Sequence, residues 1–321
     1  MKIVNIDSFD IQHFHFQAGG FIPNGGIVKV DMTDVCEFFS RCGEIDGKFV
    51  VLTYNGDYGI TDQKKHTIRN DFLKHIMFNY MYFADIISET NGLEPLVAMP
   101  QCHVGQCSLR DSHVIKNDSF SHQTFNLDIP KNVYQWFSVN CDLDFPKITN
   151  LPFGVNHVEP DGPFSGSIED NGWKHIPKQD KLYISYSNHT LQRKKIKEMF
   201  REHDWVTIID KEANKAGIPH DLYMKLMAEH KFVLCPSGVG YDCFRTWEAL
   251  YTGSIPVVEW RKWSAWMEEL PIIFVDKFSS VTLDSLKQAA DNMKDMNFKP
   301  ALMSEEYWQD RINRTWEEAN A

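Results

Sequence analysis

From residue 181 onward, short apolar runs alternate with amphipathic stretches about ten residues long. Leu182–Tyr186, Trp205–Ile209, Phe232–Leu234, Ile255–Val258 and Ile272–Val275 read as strands. Gln192–Glu202, His220–Glu229, Cys243–Tyr251 and Leu283–Met293 read as helices between them. Strand and helix in strict turn build βαβ units, and hence a parallel sheet. The first half is less regular. Lys2–Ile6, Gly26–Val30, Phe49–Tyr54 and Leu96–Met99 look like strands, and Asp31–Arg41 and Thr67–Ile87 carry helical spacing. Ser304–Asn320 is a closing amphipathic helix, with Tyr307, Trp308, Ile312 and Trp316 at helical intervals.

The two patterns are separated by Glu159–Gln179, a stretch with three Pro, three Gly and no sustained apolar period. This predicts an α/β protein of two Rossmann-like domains: residues 1–160, a linker at 161–180, a second domain at 181–303, and a helix at 304–321 that returns to the first domain. Open parallel sheets bind ligands beyond the carboxyl ends of their strands, at the point where strand order reverses.

Composition narrows the partners. With 33 Lys and Arg against 44 Asp and Glu, the formal charge of −11 argues against general coating of nucleic acid, which requires neutralised phosphates. Seven scattered Cys fit reduced thiols better than a disulfide framework. The Cys102-His103…Cys107 group lacks the second half of a zinc motif, so no metal is expected. No run approaches the roughly 20 apolar residues of a membrane span, and the N-terminus does not read as a secretory signal. The expectation is a cytoplasmic protein.

The chemistry concentrates in Lys231–Trp260, KFVLCPSGVGYDCFRTWEALYTGSIPVVEW. A strand opens into a loop with two Gly, which lets backbone amides approach a ligand. A helix then begins near Asp242, and its N-terminal dipole suits a phosphate. Arg245 and Glu248 share a helix face. Arg suits a diphosphate through paired N–H bonds, and Glu suits the hydroxyls of a ribose. The alternative is a plain strand–turn–helix in which the two pair at the surface.

This stretch resembles the donor-binding signature of the exostosin-like glycosyltransferases (GT47-like). The matching residues are Cys235, Pro236, Gly238, Gly240, Asp242, Arg245, Glu248, Ala249, Leu250, Gly253, Ile255, Pro256 and Val257. Lys181–Phe200 is similar to the strand, polar turn and basic helix that open the family's donor domain. Trp136–Asn156 is similar to another family stretch, with Phe145 where the family has His. Val51–Ile60 is similar to a strand end that keeps Asn55 and Asp57, but has Tyr54 and Gly56 in place of His and Ser.

The resemblance implies the GT-B fold, in which two Rossmann-like domains face a cleft. It implies transfer of a hexosyl or pentosyl group from a nucleotide-sugar, a UDP-sugar, to a hydroxyl acceptor, with inversion and without a metal or other cofactor. Donor-binding candidates are Ser187, Asn188, Arg193, Ser237, Gly238, Val239, Gly240, Asp242, Arg245 and Glu248. Inversion needs a general base across the cleft, and Asp57 is the candidate, with His13, His15 and Asn55 on the acceptor side. Trp260, Trp263 and Trp266 form either an aromatic wall near the ligands or a packed helix face. The expected acceptor is a saccharide in a bacterial or viral setting. Two alternatives stand beside it: a viral enzyme that glycosylates hydroxymethylated DNA bases, and a sugar-binding module without catalysis.

Overall fold

A computed structural model of the chain describes residues 9, 11–17, 19–31, 34–54, 60–63, 65–68, 129–141, 146–155, 172–187, 191–209, 218–238 and 241–321. They form an α/β protein with two parallel sheets. The first sheet holds β1 (Phe14–Phe16), β2 (Gly26–Asp31), β3 (Phe49–Tyr54), β6 (Val133–Val139) and β7 (Ile148–Leu151) side by side in that order. Its helix α1 (Val35–Cys42) buries Val35, Phe38 and Phe39 beside Phe49 and Trp136. A short antiparallel pair, β4 (Ile60–Gln63) and β5 (Lys65–Ile68), stands apart from both sheets.

Strands β1, β4, β6 and β7 have no counterpart among the sequence expectations for this half, and two of those expectations are corrected. The strand expected at Gly26–Val30 runs on to Asp31, because Asp31 pairs with Tyr54, so α1 starts later than the spacing suggests. Thr67 and Ile68, expected to start a long helix, lie in β5. The expected strands Lys2–Ile6 and Leu96–Met99 lie outside the described residues.

The second sheet holds β8 (Gln179–Ile184), β9 (Val206–Ile208), β10 (His230–Leu234), β11 (Ile255–Glu259) and β12 (Ile273–Val275), all parallel, in the order β12-β11-β10-β8-β9. Helices α2 (Leu191–Phe200), α3 (His220–Ala228), α4 (Phe244–Tyr251) and α5 (Leu283–Asn292) connect or follow these strands. From β8 the chain moves to β9 on one side and then to β10 on the other. The reversal point therefore lies between β8 and β10, and the loops that leave these two strands frame the place where such sheets bind ligands.

Helix α4 ends at Gly253, whose φ of 72° is the left-handed conformation that a helix C-terminus requires and that a side chain resists. Below it, Lys178 Nζ donates to Ala228 O at 2.8 Å, Thr252 O at 3.0 Å and Ser254 Oγ at 3.2 Å. One ammonium thus caps the ends of both α3 and α4. Burial pushes the Lys178 pKa down from 10.5 to about 8. Since the native state holds fewer protons than the unfolded chain between those values, stability rises with pH from about 8 to about 10.5. We expect denaturant titrations across that window to show this rise in wild type and to lack it in Lys178→Met.

The final helix, α6 (Glu305–Asn320), packs on β3 of the first sheet, where Lys48 Nζ donates to Ala319 O. Trp308 and Ile312 of α6 share one apolar cluster with Val50, Leu52 and Val139 of the first sheet, Val233 of the second and Trp247 of α4. No described helix is long and apolar enough to cross a membrane.

Candidate functional site

The loops leaving β8 and β10 meet the first turns of α2 and α4. At their centre is Tyr186, fully buried just beyond β8. The Arg193 guanidinium lies 5.5 Å from its ring centroid, Arg245 lies 5.3 Å away, and Lys197 Nζ lies 5.3 Å away. Three cations around one aromatic ring form a dense positive locus, held partly by the ring's negative faces.

Each cation is fixed by backbone oxygen. Arg193 donates from Nε to Ser237 O at 2.8 Å and from Nη2 to Pro236 O at 3.1 Å, which pins the glycine-containing loop. Arg245 donates from Nε to Ser185 O at 2.9 Å, and Lys197 Nζ donates to Tyr186 O at 3.2 Å. The first turn of α4 has no side-chain cap, so its amides and dipole add to the same positive character. Burial, and then the neighbouring Arg245, lower the Arg193 pKa to about 10. Burial also works against the Arg245 charge, but the electron-rich groups of Tyr223, Cys243, Cys235 and Glu248 outweigh it and hold its pKa above the ordinary arginine value. Two crowded guanidinium ions of this kind would be relieved by a bound polyanion.

Glu248 is buried, at 6% exposure, and its Oε2 accepts from the Tyr223 hydroxyl at 2.7 Å. It does not form the surface pair that the plain strand–turn–helix reading allowed. Burial first, and then Glu248, raise the Tyr223 pKa. The buried Tyr183 phenol of β8 and the Ser185 hydroxyl just beyond it lie on the same side of the strand and interact with each other. Ser187, Ser237 and Gly238 lie half-buried at the rim of the locus.

Asp242 sits differently. Its carboxylate is turned into the protein, where it meets backbone N–H groups and an indole, and burial pushes its pKa up to about 7. A carboxylate placed in this way does not contact an anionic ligand, so the geometry does not gather Asp242 with the cations.

On the other sheet, His13 and His15 face each other with Nε2 atoms 2.7 Å apart, and His13 Nδ1 bonds Ile11 O at 2.6 Å. A carbonyl only accepts, so the His13 Nδ1 carries a proton, and one of the two facing Nε2 atoms donates to the other. Partial burial, then His13, then Lys29 lower the His15 pKa. Asn55, Asp57, Asn188, Val239 and Gly240 lie outside the described residues.

Residues 181–265 match the family described as the RXYLT1 C-terminal domain. The match points to glycosyltransferase activity in general and is loosely in keeping with the exostosin-like resemblance. It spans β8 to the segment after β11, so every cation of the Tyr186 locus falls within it, while the first sheet and α6 fall outside. No curated protein matches the chain.

Sequence reasoning passed over Tyr186 and Lys197. The signal for Lys197 was present: positions 193, 196, 197 and 200 define one face of α2, and Arg193, Ile196, Lys197 and Phe200 are all buried while Lys194 and Lys195 are exposed. The tryptophans divide. Trp263 and Trp266, three apart on a 3₁₀ turn, pack against Tyr241 and Trp247, whereas Trp260 is exposed and its indole N–H bonds Glu268 at 2.7 Å.

Proposed function

We propose that this chain is a glycosyltransferase of the GT-B type, which moves a sugar from a nucleoside diphosphate sugar, taken here as a UDP-sugar, to a hydroxyl of a saccharide acceptor. The observation that carries the reading is the trio of Arg193, Lys197 and Arg245 around Tyr186, at the strand-order reversal and beside the first turn of α4. A diphosphate leaving group develops negative charge as the bond to the anomeric carbon breaks, and fixed cations and amides placed there stabilise it without reorganisation. Glu248 would take the ribose, and the rim residues Ser187, Ser237 and Gly238 the phosphate oxygens. The acceptor hydroxyl loses its proton to a base on the first half as it attacks, with inversion. Asp57 is our candidate for that base, with His13, His15 and Asn55 on the acceptor side.

Since side-chain cations offset the leaving-group charge in this reading, turnover is expected to survive EDTA. Complete loss in chelator, restored by Mn²⁺ or Mg²⁺, would contradict it. The donor class is tested by a thermal-shift panel of UDP-, GDP-, ADP- and CMP-sugars, because a ligand that binds only the native state raises Tm by mass action. A shift with UDP-sugars supports the reading; no shift with any member of the panel counts against it.

A further inference from the structure

Asp242 immediately precedes the donor helix, yet its contacts run to the other half of the chain. Its backbone N–H donates to Asn140 Oδ1 at 2.6 Å, and its Oδ2 accepts from Phe153 N at 2.8 Å. Asn140 follows β6 and Phe153 follows β7, so both come from the carboxyl edge of the first sheet. On its own side, Oδ1 accepts from Cys243 N at 2.8 Å, and the Trp247 indole N–H lies 2.9 Å from each carboxylate oxygen. Every described partner of the carboxylate is an N–H donor, a set that favours the ionised form.

The receiving side is built to fit. Asn140 is the one described non-glycine residue with positive φ, at 55°, and it is 1% exposed. The turn is braced by Asn150 of β7, whose side chain accepts from Cys141 N at 2.8 Å and donates to Cys141 O at 2.9 Å. The strained backbone aims the Asn140 amide at Asp242. Beside it the Phe153 and Phe244 rings stack with centroids 4.2 Å apart. Phe244 and Arg245 are neighbours in the first turn of α4, so a shift of this joint shifts the guanidinium that faces Tyr186.

We propose that Asp242 is a positioning residue that ties the donor loop to the first half of the chain, so that filling the donor pocket and seating the first half become coupled. It is not a ligand of the donor, and the coupling rests on the donor-site reading above. The contacts continue through stacked Trp247 and Trp266, 6.1 Å apart, to Trp308 of α6 at 5.6 Å, and α6 packs on β3. The two joints between the halves are therefore linked by one aromatic path.

The test is hydrogen exchange read by mass spectrometry on the full chain, with UDP as the probe. Without UDP, Asp242→Asn should speed exchange in peptides covering 138–141 and 150–155 by about tenfold or more, the loss of a charge-assisted bond, while β8 and β10 stay protected. Unchanged exchange there would overturn the tie. In wild type, UDP should slow exchange at 150–155. In Asp242→Asn, UDP should still bind within about fivefold of wild type, because no donor contact is lost, but the protection at 150–155 should disappear. A loss of UDP affinity beyond about 100-fold would make Asp242 a ligand and overturn the proposal, as would protection transmitted in full. Asn140→Gly keeps the positive φ and removes the acceptor of the Asp242 amide, so it should loosen 150–155 in the same way if Asp242→Asn fails to fold. Wild type that binds no UDP would count against the donor reading, while the exchange comparison without UDP still decides the tie.

Discussion

Arg245→Ala and Glu248→Ala are each expected to weaken UDP binding by roughly ten- to 150-fold, the equivalent of about 1.5–3 kcal/mol for a lost charge-assisted hydrogen bond. The arginine is held by Ser185 O against Tyr186, so its truncation removes charge from a preorganised position rather than from a mobile side chain. Glu248→Ala has a second effect, since it leaves the buried Tyr223 hydroxyl without its 2.7 Å acceptor. Glu248→Gln separates the two, because the carboxamide oxygen can still accept from Tyr223 while the charge is gone. Isothermal titration of folded variants is the measurement. Unchanged UDP affinity in both alanine variants would move the donor site away from α4.

The largest stability effect is expected at Trp247, which is fully buried, stacks on Trp266 and donates to both oxygens of Asp242. Truncation of a buried Trp to Ala costs about 3–5 kcal/mol, a large part of the 5–15 kcal/mol typical of a native protein. The variant also removes a donor from a buried carboxylate. Urea denaturation should show a strongly lowered midpoint in Trp247→Ala. Trp247→Phe should recover part of the packing but not the indole N–H, so it should fall between the two. A loss below about 1 kcal/mol in the alanine variant would mean that Trp266 and its neighbours collapse into the space.

The second sheet was legible because its strands are short apolar runs in regular alternation with helices, most of which carry a buried and an exposed face. The approximate positions of β8 to β12 follow from that alternation. The first sheet was harder to see. Val133–Val139 reads as VYQWFSV, with an exposed Tyr and a half-buried Gln breaking the run, and Phe14–Phe16 is a three-residue edge strand whose central His is exposed. Neither announces a strand by local pattern; each is a strand because a parallel neighbour pairs with it.

The candidate site divides along the same line. Arg245 and Glu248 were visible because their spacing on one helix is a local fact. The inward role of Asp242 was not, since Asn140 and Phe153, which fix it, lie about 100 and 90 residues earlier in the chain. The sequence placed Asp242 among donor ligands by motif order alone. Its contacts instead belong to the joint between the halves. Lys197 was hidden inside a basic run that reads as solvated until the helix face is drawn.

The packing of α6 on β3 has a consequence for biosynthesis. Chains emerge from the ribosome from the N-terminus, and early domains generally begin to fold before later ones exist. Here Val50 and Leu52 of β3 share their apolar cluster with Trp308 and Ile312, residues made only after both sheets have been translated. The first sheet thus leaves the ribosome with part of one face uncovered, and its nascent form is the stage at which a chaperone would find the most apolar surface to hold.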